Sequence, residues 1–367
     1  MASITSYTTS AGTIRWRVHY RDPERKQRSK SGFGRKRDAQ AFVTSLEDDV
    51  RRGTYVAPRA GNVTVGEVYA EWLGTLTVKP TTRYTRESTW NKHVRPRWET
   101  TRVGDVRKSA VSKWVADMHD QGVGVATIEN ALGVLRMTLA HGVEENILAV
   151  NVAATVKAPK RQHRRRPYLT HEQVGELVSN LDGTNAAVVQ FLAYTGLRWG
   201  EMAELRLRDF NLLRREVEIS RATSEVQGRV VVGSPKSGEA RVVGLPRFLV
   251  ELARVQMDGK GQDDLVFRSP RGGHMRHSTF RDRVFRPAVE QCVQSDPAFP
   301  RGLTLHDLRH TCASLAISEG SSVLVLQRML GHASPSITLD VYSDLFDGDL
   351  HVVADAFDRA VQGRAFA

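Results

Sequence analysis

The chain has 367 residues, 40% of them hydrophobic, and its 53 Lys and Arg against 41 Asp and Glu give a formal charge of +12. That length predicts two or three domains, the apolar content excludes a disordered chain, and the charge favours a polyanionic partner such as nucleic acid. Two cysteines without CxxC spacing, Cys292 and Cys312, exclude a disulfide framework, no apolar run reaches bilayer length, and polar Met1–Ser10 is unlike a signal peptide, so a soluble protein of a reducing cytosol is expected.

Residues 1–57 form a basic unit, with 12 Lys and Arg against 6 Asp and Glu. Ile14–Tyr20 alternates: Ile14, Trp16, Val18 and Tyr20 take one face, and Arg15, Arg17 and His19 the other. This predicts a half-buried strand, turned by Asp22-Pro23 toward a second run at Gln27–Phe33 and followed by a helix over Lys36–Arg52. A small sheet with arginines outward and one helix behind suits a DNA major groove, although a solvated surface presents charge in the same way.

Residues 62–157 read as a helical bundle. Thr64 and Glu67 have capping-box spacing ahead of Val68, Tyr69, Trp72 and Leu73. Further helices are expected over Thr82–His93, closed by Pro96, over Ser109–His119, and over Val125–His141, with their Trp and Leu stripes forming the core. Residues 158–167 break this pattern. Lys160, Arg161, Arg164, Arg165 and Arg166 lie between two prolines in a basic linker that is either a plain tether or a track along phosphates.

From residue 168 a larger domain is expected. Thr170 and Gln173 again have capping-box spacing, Ala186–Tyr194 reads as a buried helix, and Glu216–Ile219, Val230–Val232 and Arg241–Leu245 read as strands. The last two predict a hairpin whose tip, Gly233–Ala240, carries Lys236. In Leu350–Val361 an apolar stripe predicts a tail helix within residues 346–367. The expected fold class is multidomain, mainly α with small β-sheets (α+β).

The chemistry-bearing residues concentrate in TGLRWGE, PKSGEAR, HDLRHTCAS and LGHASPSITLDVYS. Arg198 follows an apolar helix, its planar fork suits two phosphate oxygens, and Glu201 three residues on is placed to hold it; alone, such a pair is more often a structural ion pair. His306, Arg309 and His310 share a helix face, where the two histidines at i, i+4 also have metal-ligand spacing. No Glu lies between them as in HExxH, and the intervening arginine would repel a cation. Tyr342 follows His332 by ten residues, and an attacking phenol needs adjacent cations or a base.

Arg198, Lys236, His306-x-x-Arg309, His332 and Tyr342 together resemble the tyrosine recombinases, the phage integrase family, in residue type, order and spacing. The resemblance implies a catalytic domain at 168–345, a core-binding domain at 62–157 and an arm-type DNA-binding domain at 1–57. It implies that Tyr342 is the nucleophile, forming a 3′-phosphotyrosyl link and releasing a 5′-hydroxyl. Arg198 and Arg309 would clamp the phosphate, Lys236 would protonate the leaving oxygen, and His306 and His332 would move a proton or donate hydrogen bonds, with Glu201 and His310 in support. No metal, ATP or other cofactor is expected, and the chain has no P-loop GxxxxGK[ST]. The partners implied are double-stranded DNA at core and arm sites, three further copies in a homotetramer, a host DNA-bending protein and an excisionase, all in a bacterial cytoplasm. The tail helix would dock on a neighbouring protomer or on its own domain. The expected reaction is integration of phage or mobile-element DNA into a host chromosome, and its excision. A type IB-like topoisomerase or a non-catalytic DNA-binding regulator are the alternatives.

Overall fold

The computed structural model describes residues 2–23, 25–161, 167–236, 238–342, 358 and 361. The chain divides into two compact units, residues 1–163 and 164–367. Among the described residues no helix is long and apolar enough to cross a membrane.

The N-terminal unit begins with an antiparallel sheet of β1 (Ser3–Thr8), β2 (Ile14–Arg21) and β3 (Gln27–Phe33), with β2 in the centre. Helix α1 (Lys36–Arg51) covers one face, where Val18 and Tyr20 are buried with Ala39, Val43 and Leu46. Strand β1 was not expected: SITSYT carries no apolar alternation, and its edge position requires none. Ile14, expected to face the core, is 61% exposed. A register shift at Trp16/Arg17 separates it from the inward positions that follow.

The bundle comprises α2 (Val65–Thr75), α3 (Pro80–Thr89), α4 (Arg95–Trp98), α5 (Lys108–Asp120) and α6 (Val125–Glu144). Thr64 and Glu67 form the capping box that the spacing predicts. Pro96 does not close the second helix. A π-helical turn at Trp90–Val94 restarts the chain as α4, and Pro96 falls in the first turn of α4, where a missing N–H costs nothing. Trp90 then stacks on Tyr69, ring centroids 3.8 Å apart, and Trp98 is buried against Trp114.

The second unit begins with α7 (His171–Ser179), capped by Thr170 and Gln173, and α8 (Gly183–Thr195), whose Ala187, Val188, Val189, Phe191, Leu192 and Ala193 are buried in its core. Next come α9 (Trp199–Met202), β4 (Phe210–Asn211), β5 (Glu216–Ile219), β6 (Ala222–Val226), β7 (Arg229–Gly233) and β8 (Arg241–Gly244). The expected hairpin is not formed. β7 pairs with β6, and β8 pairs with β5 in a separate β4-β5-β8 sheet. Lys236 therefore lies on the connection between two sheets and not at a hairpin tip. The reason is strand β6: ATSEV is too polar to read as a strand, so in the sequence β8 stands as the nearest partner for β7. The remaining helices are α10 (Arg247–Met257), α11 (His277–Phe280), α12 (Arg286–Ser295), α13 (Asp307–Ser318), α14 (Val323–Leu330) and α15 (Pro335–Tyr342). The expected tail helix lies outside the described residues apart from Asp358 and Val361.

Candidate active site

The segment TGLRWGE is a helix stop, a turn and a helix start. Gly196 caps α8 in the left-handed region (φ 64°), which an L side chain enters only with strain. Arg198 is the N-cap of α9, its backbone N–H donating to Glu201 Oε2 at 3.0 Å. Its Nη1 donates to Glu201 Oε1 at 2.9 Å, so Glu201 bonds both ends of this arginine.

Arg309 comes from α13, whose start is set by Asp307 accepting from the Thr304 amide and hydroxyl at 2.8 and 2.6 Å. The Arg309 side chain is buried and donates to the Gly196 carbonyl at 2.7 Å and the Leu330 carbonyl at 2.6 Å. Burial, followed by the nearby Arg198 charge, pushes its guanidinium down to about 10. It remains protonated at neutral pH.

Helix α14 ends in a Schellman turn, with Gly331 in the left-handed region (φ 66°), Gly331 N–H bonded to the Arg328 carbonyl and His332 N–H to the Gln327 carbonyl. Three carbonyls beyond those two each accept from a different arginine: Met329 from Arg241 Nε at 2.9 Å, Leu330 from Arg309 Nη2, and Gly331 from Arg198 Nη2 at 3.5 Å, the longest of the three. The negative end of a helix dipole thus faces three cations. Glu201, 1% exposed, completes the group, accepting from Arg241 Nη1 at 3.1 Å and Nη2 at 2.6 Å. Its burial raises the carboxyl pKa, but Arg241 and Arg198 together hold it below the usual carboxylate range.

His332 follows this turn, its Nδ1 2.9 Å from Thr338 Oγ1. Burial and the charges of Arg309, Arg198 and Arg241 push its pKa down to about 4, so the imidazole is neutral at pH 7. Tyr342, the last residue of α15, is buried beside Ala313, Leu326 and Leu330. Its Oη lies 2.8 Å from His310 Nδ1. The exposed His306 sits edge-on to His310, ring centroids 5.2 Å apart, so two imidazoles lead to the phenol.

The fold therefore gathers Arg198, Glu201, His306, Arg309, His310, His332 and Tyr342. Lys236 is exposed on the segment that connects β7 to β8. Arg241 is the member that sequence reasoning missed. Its only signal is a charge opening a strand with a buried Val243, and that pattern is common at strand ends. Of the linker cations, Lys160 is exposed and Arg161 pairs with Glu129, whereas Arg164, Arg165 and Arg166 lie outside the described residues. Arg15 and Arg17 are half-buried on β2, with Arg17 over the Tyr7 ring at 4.8 Å. Among the described residues no group of three or more His, Cys, Asp or Glu has metal-holding geometry.

The chain matches the phage integrase family over residues 167–348 and the N-terminal SAM-like domain of phage integrases over residues 64–119. It is 25% identical over 340 residues to the putative prophage phiRv2 integrase of Mycobacterium tuberculosis H37Rv, covering 89% of this chain and 88% of that protein. It is 29% identical over 259 residues to the tyrosine recombinase XerC of Actinobacillus pleuropneumoniae, covering 69% and 78%. Among solved structures, the fold resembles the Tn1549 transposon integrase in complex with transposon right end DNA (TM-score 0.68, 21% identity, 80% of this chain and 100% of that one). It also resembles a lambda integrase dimer bound to a COC′ core site (TM-score 0.61, 18% identity, 92% and 93%). The chain belongs to the tyrosine recombinase (phage integrase) family, and is a site-specific DNA recombinase that cleaves and rejoins DNA strands.

Proposed function

We propose that the chain integrates a phage or mobile element into a bacterial chromosome, with Tyr342 as the nucleophile. The observation that carries this reading is the Tyr342–His310 hydrogen bond on the same helix as Arg309, beside a cluster of cations. Tyr342 Oη forms the bond to phosphorus while the bond to the 5′-oxygen breaks. The phenolic proton passes to His310 Nδ1, with His306 as the exit toward solvent, and the departing oxygen takes its proton from Lys236. Arg198 and Arg309 hold the non-bridging oxygens with donors not committed to carbonyls, and the neutral His332 donates one further hydrogen bond. Attack by the free 5′-hydroxyl of a partner strand reverses these steps and rejoins the DNA.

Residues 1–57 supply the arm-site contact. The outer face of the small sheet aligns Arg15, Arg17 and His19 with Tyr7, Thr5 and Ser3 on the neighbouring strand, a row of donors suited to base edges and phosphates. Residues 62–157 hold the core site, residues 168–345 carry the chemistry, and the basic linker at 158–167 follows the phosphate backbone between them. Exchange between two duplexes needs four active sites, hence a homotetramer. Simultaneous arm and core binding requires bent DNA, hence a host bending protein, and excision calls for an excisionase. The setting is the bacterial cytoplasm.

A nicked suicide DNA substrate tests the assignment. The parent protein is expected to give an SDS-stable protein–DNA adduct, and Tyr342→Phe none, with DNA binding retained. An adduct in Tyr342→Phe refutes the nucleophile.

A further inference from the structure

We infer that Arg241 is a positioning residue for strand cleavage, fixing Arg198 and His332 relative to one another. The inference rests on the reading above, in which Arg198 and Arg309 hold the scissile phosphate. The geometry assigns Arg241 a task different from theirs. All three of its donor nitrogens are committed within the protein: Nε to the Met329 carbonyl, and Nη1 and Nη2 to the two oxygens of Glu201. It is half-buried, with a side chain 9% exposed against 24% for Arg198. Its bidentate grip fixes the Glu201 carboxylate, which in turn grips the Arg198 backbone and guanidinium.

The same side chain packs under the turn that delivers His332. A Cβ added to Gly331 would lie 3.0 Å from Arg241 Cδ and 3.1 Å from its Nε, so a side chain there would crowd Arg241 as well as strain the positive φ. Arg241 also opens β8, five residues after Lys236, and so anchors one end of the segment that carries the proposed acid. One guanidinium thereby ties three parts of the site that are far apart in sequence. Lysine is a poor substitute, since a point charge cannot span both carboxylate oxygens and a carbonyl.

The test compares Arg241→Met and Arg241→Lys with the parent, reading the single-turnover rate of adduct formation at saturating DNA, DNA affinity and melting temperature. Arg241→Met is expected to slow cleavage roughly 100-fold, the size of a 1 Å misplacement, with affinity within about threefold of the parent. A methylphosphonate at the scissile position removes one negative charge and lessens the demand on the clamp, so the gap between variant and parent should narrow on that substrate. Parental cleavage by Arg241→Met overturns the inference, as does a deficit that follows lost DNA binding or is undiminished on the neutral substrate. If Arg241→Met does not fold, Arg241→Lys carries the test: cleavage about tenfold slower with unchanged affinity is expected, and a parental rate overturns it. Arg198→Ala separates the two claims. If that variant cleaves like the parent, the phosphate-clamp reading fails rather than the role of Arg241.

Discussion

Gly200 offers a way to move the proposed acid without touching it. This glycine lies in α9, where a Cβ would stand 2.1 Å from the Thr223 carbonyl oxygen of β6. Thr223 Oγ1 also donates to the Gly200 carbonyl at 3.3 Å, so hairpin and helix are held against each other at this point. Ordinary carbon–oxygen contact needs roughly 1 Å more than that, and the obstacle is backbone that cannot rotate aside. Gly200→Ala must therefore shift β6 and its partner β7, which ends three residues before Lys236. A displacement of about 1 Å at a proton donor is expected to slow cleavage on the order of 100-fold. The assay is adduct formation on two suicide substrates, one ordinary and one with sulfur in place of the bridging 5′-oxygen. A thiolate leaves without protonation because its conjugate acid is far stronger than an alcohol (thiol pKa about 8.5), so the sulfur substrate should restore a near-parental rate. Parental cleavage of the ordinary substrate, or an equal deficit on both, refutes the reasoning; the second outcome means that α9 and Arg198 moved instead.

Two further predictions concern charge. His332 is held near 4, below the ordinary histidine value, so between about pH 6.5 and 4 the unfolded chain takes up a proton that the folded chain refuses. Its contribution to stability is lost as pH falls through that window, and His332→Asn should show a smaller drop in melting temperature from pH 7 to pH 5 than the parent; an equal or larger drop contradicts this. Arg15→Ala and Arg17→Ala should each weaken arm-site DNA binding and flatten its logarithmic salt dependence by about 1, while leaving core-site cleavage intact. An unchanged salt slope removes the outer sheet face from the DNA interface.

The sequence disclosed those parts of the molecule whose physics is local. Capping boxes at Thr64 and Thr170 and the apolar periodicity of Val125–His141 locate helices to within a turn because both signals are local. Strands β1 and β6 were hidden because their pairing satisfies the backbone while their side chains stay polar. Pro96 misled because a π turn upstream, which no local pattern announces, gives it a fresh helix start. At the site, the family spacing named Arg198, Arg309, His332 and Tyr342, and the fold brings them into one region. It did not foretell that His310 bonds the phenol, since that depends on how α15 packs against α13. Arg241 was invisible for a related reason: its partners, Glu201 and the Met329 carbonyl, are 40 and 88 residues away.

The three carbonyls at the end of α14 have a consequence for how folding and DNA binding are coupled. Among the described residues, Arg198 and Arg241 share one carboxylate, Glu201, and Arg309 stands nearby, so the second unit gathers three cations against one anion, with backbone carbonyls accepting from all three. That concentration exists only in the native state, because the unfolded chain disperses the same arginines through water. On the proposed reading, in which Arg198 and Arg309 hold the scissile phosphate, DNA is therefore a ligand of the fold as well as a substrate. By mass action, DNA at a hundred times its dissociation constant adds about 2.7 kcal/mol to the native state. Charge crowding that weighs on the isolated protein thus becomes a reserve of stability once the protein is on its DNA.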